Sequence, residues 1–245
     1  MTLPWLPPDH AANGHLVDDT LLYVHLVMGV VALGWAVYYL VVVARARRAS
    51  DAGAATNRTP DRLPLRLAWL LVGGIAIAEA ALFLGKELPA WSVLREVPPD
   101  DDTVVHLRVV AEQFAWNVHY PGPDGRYGRT DPARVSQLNP VGIDTTDEAA
   151  RDDVIRLNQI HLPIGRPALI ELSSKDVIHA FHLPVMRVKQ DVIPGQRARA
   201  WFTPVVADTT DIACAQLCGL GHYRMKGELI VESEADFQAW LSGKE

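Results

Sequence analysis

Two long runs of apolar residues interrupt an otherwise mixed sequence. The first covers residues 21–44, where His25 is the only ionisable side chain apart from tyrosine, and the second covers residues 67–84 with one charge, Glu79. A helix needs about 20 apolar residues to cross the hydrocarbon core of a bilayer. Neither run has the polar face expected of a helix in a soluble bundle, which is the alternative interpretation. The pattern therefore predicts two transmembrane helices.

Charge around these runs predicts their orientation. The connection between them and its borders carry six arginines against two aspartates: Arg45, Arg47, Arg48, Arg58, Arg62 and Arg66 against Asp51 and Asp61. Residues 1–20 contain aspartates but no lysine or arginine. By the positive-inside rule the connection is cytoplasmic and both termini lie outside. The N-terminus lacks the basic region and cleavage site of a secretory signal, and a precursor trimmed before Met1 is the alternative interpretation.

The remainder of the chain has the pattern of a β domain. Short runs rich in β-branched and aromatic residues alternate with Pro- and Gly-containing turns, and such spacing predicts an antiparallel sandwich or barrel. The strands are expected within 104–110, 111–120, 166–172, 176–183, 196–204 and 227–233. We expect a surface loop at 144–153 and a terminal helix capped by Ser233. The predicted division is an exported segment (1–20), a helical hairpin (21–85), a connector (86–102) and a β domain (103–245).

Composition narrows the class of partner and directs attention to the cysteines. The formal net charge of −6 argues against nucleic acid as a ligand. Two cysteines are too few for a disulfide framework but enough for a redox or metal site.

The candidate chemistry lies in the segment DIACAQLCGLGHYRMK (211–226). Four potential ligands occur at i, i+4, i+8 and i+11: Cys214, Cys218, His222 and Met225. This spacing also suits one face of a helix, but Gly219 and Gly221 weaken a helix and favour a tight loop between strands. We therefore expect a ligand loop.

The residue types in this loop indicate copper. Thiolate, imidazole and thioether groups are soft to borderline ligands, whereas structural zinc takes four firm ligands and no methionine. A disulfide between Cys214 and Cys218 stays open in an exported domain. His179, in the predicted strand DVIHAFHL, is the further nitrogen candidate, and His182 is left out because strand alternation places it on the opposite face.

With these motifs the chain resembles subunit II of cytochrome c oxidase over nearly its whole length. The residues that carry the resemblance are the two helices, D-V-I-H-A-F and C-A-Q-L-C-G-L-G-H-Y-R-M. The resemblance implies a cupredoxin-like domain, a Greek-key β-sandwich or barrel, that holds two copper ions in a dinuclear CuA centre. It implies that Cys214 and Cys218 bridge both ions and that His179 and His222 each cap one. Met225 is then a weak axial ligand, and Gln216 contributes its backbone carbonyl.

The function implied by the resemblance is that of an electron-accepting subunit of a proton-translocating oxidoreductase. Cytochrome c would deliver electrons to CuA, and they would pass to haem in the large subunit, where oxygen is reduced. The other oxidase subunits and the membrane complete the implied partners. The expected location is a bacterial cytoplasmic membrane with the copper domain on the outer, periplasmic side.

Three departures from the family pattern bear on these expectations. Gln216 replaces a glutamate that helps to hold a magnesium ion at the subunit interface, which puts that magnesium in doubt. The aromatic run through which the electron enters has Phe114 in the first position and Trp116 two residues on; for Phe114 an ordinary core role is the alternative. Arg66 stands where the family has a carboxylate, and Glu79 lies in the outer half of its helix, with a hydrogen bond to the large subunit favoured over a proton path.

A membrane-tethered copper-delivery protein is the alternative function. Such metallochaperones are thioredoxin-like with one membrane helix, and usually have proline after the second cysteine. Here Gly219 follows Cys218, two helices are predicted, and no βαβ pattern is found. Quinol-oxidising relatives lack the cysteines, and a nitrous-oxide reductase requires a large second domain.

Overall fold

The computed structural model describes residues 4–51, 62–96 and 103–243. These residues form two units. One unit contains the helices of residues 16–96, and the other combines the N-terminal residues up to His15 with the β strands that follow residue 96.

The first unit is a pair of long helices. Helix α1 covers Gly14–Asp51, and α2 covers Arg62–Leu82. Tyr23 of α1 lies 4.7 Å from the Lys86 ammonium, while Gly34 lies against Leu71, so the two helices run antiparallel. Both are long and apolar enough to cross a membrane, and their apolar windows are not buried within the protein. The predicted two-helix hairpin is therefore confirmed.

The second helix continues beyond its predicted end. A π-helical turn at Phe83–Glu87 leads directly into α3, Leu88–Arg95, so the expected connector at 86–102 is helical as far as Arg95. Pro89, the second residue of α3, lies directly after the π turn. Residues 97–102 of the connector, and Arg58 and Asp61 of the arginine-rich connection, lie outside the described residues.

The second unit is a β-sandwich of two five-stranded sheets. Its strands are β1 (Val105–Glu112), β2 (Ala115–Tyr120), β3 (Val154–Leu157), β4 (Gln159–Pro163), β5 (Ala168–Ser174), β6 (His179–Leu183), β7 (Val188–Val192), β8 (Ala198–Phe202), β9 (Asp208–Cys214) and β10 (Lys226–Glu232). One sheet has the order β3-β2-β1-β5-β8 and the other β4-β10-β9-β6-β7. The predicted all-β sandwich is confirmed.

The two sheets enclose a single apolar core. Alternate residues of β1 are buried, as expected for a strand with one face towards the core. Trp116 of the first sheet contacts Phe181 of the second with ring centroids 5.4 Å apart. Helix α4 (Glu234–Leu241) adds Phe237 and Trp240 to this core, and the hydroxyl of Ser233 caps its N-terminus by accepting a hydrogen bond from the Asp236 N–H.

Three features of the sandwich differ from the sequence predictions. The sheets are mixed, because β1 pairs with β5, and β10 with β4, in parallel. Strands β3, β4 and β7 were not among the predicted runs, and β9 was expected only as a strand that flanks the ligand loop. The expected surface loop at 144–153 ends in a buried side chain, since the Asp153 carboxylate accepts a 2.8 Å hydrogen bond from His119 Nε2 and both side chains are 1% exposed.

The N-terminal segment belongs to the β unit. The His10 N–H donates to the Val185 carbonyl at 2.9 Å, and the His10 carbonyl accepts from the Val205 N–H at 2.8 Å. Ala11 is buried in the core cluster. Residues that precede the first helix are thus held by the same domain that follows the second.

Candidate metal centre

Two pairs of neighbouring strands bring the predicted ligands to one end of the sandwich. Strand β9 ends at Cys214 and β10 begins at Lys226, so the intervening residues form a loop between two paired strands. Strand β6 begins at His179 and pairs with β9, placing Phe181 opposite Cys214. The distant histidine therefore reaches the cysteine loop through strand pairing, which spacing along the chain does not show.

The donor atoms converge around the two sulfurs. Cys214 Sγ and Cys218 Sγ are 3.8 Å apart. Cys218 Sγ lies 3.6 Å from His222 Nδ1 and 3.7 Å from Met225 Sδ. Cys214 Sγ lies 4.0 Å from His179 Nδ1 and 3.2 Å from the Gln216 carbonyl oxygen. The structure therefore brings together all six predicted copper-site residues, Gln216 through its backbone alone, because its side chain is exposed.

The loop conformation decides between the alternatives that the spacing left open. Residues 215–221 are not helical, and a single 3₁₀ turn at His222–Arg224 precedes β10, so the ligands do not form a helix stripe. Both cysteines are free thiols, so they are not joined in a disulfide. Gly219 has φ +138°, a backbone conformation that other residues rarely adopt, which explains glycine at this point of the loop.

Burial makes the thiol pair dependent on a compensating positive charge. Cys218 and Met225 are 4% and 2% exposed, and His179 is fully buried. Burial, reinforced by the neighbouring Cys214, raises the pKa of the Cys218 thiol to about 11. Two thiolates at 3.8 Å are costly without a cation, whereas a bound metal ion deprotonates a coordinating thiol. Sulfur, imidazole and one carbonyl form a donor set that suits copper.

Comparison with known proteins places this site in a family. Residues 130–233 match the family model for the periplasmic domain of cytochrome c oxidase subunit II. The alternative cytochrome c oxidase subunit 2 of Bradyrhizobium diazoefficiens is 35% identical over 239 residues, which are 97% of this chain and 83% of that protein. The chain belongs to the cytochrome c oxidase subunit II family.

The chain is also similar to a further relative and to a solved structure. Cytochrome c oxidase subunit 2 of Cereibacter sphaeroides is 27% identical over 202 residues, covering 76% of this chain and 63% of the relative. The crystal structure of the periplasmic domain of subunit II from Bradyrhizobium japonicum covers 60% of this chain and 96% of its own, with 24% identity and a TM-score of 0.44. The family resemblance inferred from the sequence is confirmed, as is the assignment of the chain as a subunit of an oxidase.

Two further residues of this subunit II chain contact the predicted ligands and were not themselves predicted as site residues. The Asp176 carboxylate accepts hydrogen bonds from His179 Nε2 at 2.9 Å and from the Gln113 N–H at 2.7 Å. These bonds, together with one from the Val177 N–H, lower the pKa of Asp176 although burial opposes the change. Gln113 Nε2 also donates to the Cys218 carbonyl oxygen at 2.5 Å. The only sequence signal was proximity to predicted site residues: Asp176 lies three residues before His179, and Gln113 directly precedes Phe114.

The two aromatic candidates occupy different depths. Phe114 is half-buried, and its ring lies directly on the backbone of the ligand loop, where a Cβ added to Gly221 would be 2.4 Å from the ring. Trp116 is fully buried, with its ring 6.1 Å from that of His179 in an edge-on arrangement. Phe114 therefore adjoins the ligand loop near the surface, and Trp116 lies beneath the predicted ligand His179. Their part in electron transfer stays a prediction.

Proposed function

We propose that this chain receives electrons from a c-type cytochrome at a dinuclear CuA centre and passes them to haem in the large subunit of a cytochrome c oxidase. Oxygen reduction and the coupled proton translocation take place on that partner subunit. The observation that carries the proposal is the convergence of two thiols, two imidazoles, a thioether and a carbonyl at one end of the sandwich.

The arrangement of these donors suits two metal ions rather than one. Each imidazole lies near a different sulfur, His179 near Cys214 and His222 near Cys218. The two sulfurs are 3.8 Å apart. The two cysteines and two histidines would hold a copper pair, which would supply a one-electron carrier.

The protein around the ligands resists rearrangement. Cys218 and Met225 belong to the apolar core cluster, and His179 is held in a strand paired on both sides. Because a packed core transmits strain instead of deforming freely, the ligands keep their positions when the charge of the site changes. Fast electron relay depends on such a small rearrangement.

The loop also offers a face for the electron donor. Three of its large apolar side chains are 76%, 97% and 86% exposed: Leu217, Leu220 and Tyr223. Exposed apolar side chains clustered on one loop are typical of an interaction surface. We assign this face to docking of cytochrome c, with Phe114 as the residue through which the electron reaches the loop and Trp116 beneath His179 as the second aromatic contact.

The membrane assignment follows from the two apolar helices. We propose that they anchor the chain in a bacterial cytoplasmic membrane and contact the large subunit and other oxidase subunits, with the copper domain on the outer side. Gln216 has no carboxylate for the magnesium ion implied at the subunit interface, so we do not assign that ion to this chain.

The direct test is metal content and spectroscopy of the full chain in detergent. We expect two coppers per chain, with one unpaired electron shared by both ions in the electron paramagnetic resonance spectrum of the oxidised protein. One copper per chain with a mononuclear spectrum would overturn the proposal.

The donor face is tested by stopped-flow electron transfer from reduced cytochrome c to the copper-bound chain. We expect slower transfer in Phe114→Ala and Trp116→Ala than in the unmodified chain. Unchanged rates in both variants, with copper content retained, would contradict the assigned path.

A further inference from the structure

Three separate loops meet at the metal centre and are joined by hydrogen bonds of Gln113 and Asp176. Gln113 lies in the turn between β1 and β2, Asp176 in the connection between β5 and β6, and Cys218 in the loop between β9 and β10. The bonds cross 63 residues from Gln113 to Asp176 and 105 residues from Gln113 to Cys218. They therefore connect loops that are far apart along the chain and lie at the ends of paired strands, since β1 pairs with β5 and β6 with β9.

Asp176 sets the orientation of one ligand. Its carboxylate only accepts hydrogen bonds, so the 2.9 Å contact requires that His179 Nε2 carries the proton. The other ring nitrogen, Nδ1, is then unprotonated and faces Cys214 Sγ at 4.0 Å. A carboxylate on the remote nitrogen of a ligating histidine fixes both the tautomer and the ring direction.

Gln113 extends this contact to the cysteine loop. Its backbone N–H donates to Asp176 Oδ2, while its side-chain Nε2 donates to the Cys218 carbonyl. The amide lies close against Gly219, where an added Cβ would be 2.6 Å from Nε2. One residue thus contacts both the carboxylate that orients His179 and the backbone that carries Cys218.

We propose that Gln113 and Asp176 act together as positioning residues that hold the His179 strand and the cysteine loop at the separation the metal pair requires. This inference rests on the proposed function, since it concerns the same donors. These two residues and their hydrogen bonds, which we call the bridge, act through the ligands and do not themselves contact the metal. It limits the movement of Cys218 relative to His179, both in the metal-free chain and when the charge of the centre changes.

The test compares variants that remove one arm of the bridge at a time. Gln113→Met keeps the length of the side chain and removes the donor to Cys218. Asp176→Asn keeps one acceptor oxygen, which serves either His179 or the Gln113 N–H but not both, whereas Asp176→Ala removes both contacts. The matched controls are Gln238→Met and Asp124→Asn, both exposed and outside the strands and loops that carry the site residues.

Two readouts on the full chain in detergent decide the outcome. The first is copper release to a chelator, which we expect to be about 10- to 100-fold faster in Gln113→Met and Asp176→Ala, with Asp176→Asn between these and the unmodified chain. The second is amide hydrogen exchange of residues 213–222 in the metal-free chain, which we expect to be about tenfold faster in the same variants because restraint of the loop is lost.

The possible results separate this inference from the proposed function. Release and exchange rates within twofold of the controls would overturn the bridge even if two coppers are bound. Equally faster exchange throughout β5 and β10 would assign these residues to the stability of the whole domain, and would also overturn it. If the unmodified chain bound no copper pair, the proposed function would fail, and loop exchange in the metal-free chain would still decide whether the bridge exists.

Discussion

Substitution of Gly221 by alanine tests how tightly the ligand loop is packed. Gly221 has φ −92° and ψ 7°, a conformation open to alanine, so any cost comes from the added methyl group and not from the backbone. That methyl would lie 2.4, 2.6 and 2.7 Å from three carbons of the Phe114 ring. Ordinary carbon–carbon contacts are about 3.5–4.0 Å, so the ring must move by about 1 Å.

The expected cost is that of overpacking a tightly packed site. We expect Gly221→Ala to lower the free energy of unfolding of the β unit by about 1–3 kcal/mol. This corresponds to a decrease in the midpoint of thermal unfolding of about 3–9 °C for a unit of this size. The measurement is near-ultraviolet circular dichroism of the full chain in detergent during heating. Gly29→Ala is the control, because no atom lies within 4 Å of the added methyl.

A double variant identifies the clash as the cause. In Gly221→Ala with Phe114→Ala the ring is absent, so the combined loss of stability should be smaller than the sum of the two single losses by about 1 kcal/mol or more. If the two losses add to within about 0.5 kcal/mol, the ring does not pack on the loop as described, and the reasoning is refuted.

Three other predictions follow from individual side chains. Copper release to a chelator should be at least about tenfold faster in His179→Gln, because loss of a ligand weakens metal binding at least as much as loss of its hydrogen-bond partner. The control is His182→Gln, at a half-buried position of the same strand, which should release copper at the rate of the unmodified chain. Equal release from both variants would remove His179 from the ligand set. Burial lowers the pKa of His119 despite its carboxylate partner, so on acidification the unfolded state binds a proton before the folded state does. The free energy of unfolding should therefore decrease as the pH falls below about 6.5, by up to about 1.4 kcal/mol per pH unit. Denaturant titrations should show a shallower decrease in His119→Gln. The Tyr120 hydroxyl both donates to and accepts from the backbone of His161, so Tyr120→Phe should cost about 1–3 kcal/mol in the same denaturant assay, and a loss below about 0.5 kcal/mol would show that these groups find other partners.

Local patterns were sufficient for the features that depend on nearby residues. The two membrane helices follow from length and composition, because a bilayer requires an apolar span and little else. The ligand loop was recognisable because its two glycines disfavour a helix and its four potential ligands lie within twelve residues. The cap of helix α4 was found for the same reason, since Ser233 acts on an N–H three residues away.

The strands and their pairing could be predicted only in part from the sequence. Strand β3 was missed because its four residues show no regular alternation of buried and exposed positions. The parallel pairing of β1 with β5 joins segments about 60 residues apart, and the choice of partner depends on how the whole sandwich closes. The predicted antiparallel arrangement was therefore wrong for two strand pairs.

The sequence by itself determined the two apolar helices, the β character of the remainder and the types of ligand, because each of these depends on residues that are close together along the chain. Only the tertiary structure decided which groups surround the ligands. Asp176 was not a candidate site residue, yet it is a hydrogen-bond acceptor for His179, and Gln113 had no visible role until it was found against Cys218. The reason is physical: hydrogen bonds between loops depend on where the sheets place the loop ends, and that placement is a property of the packed core.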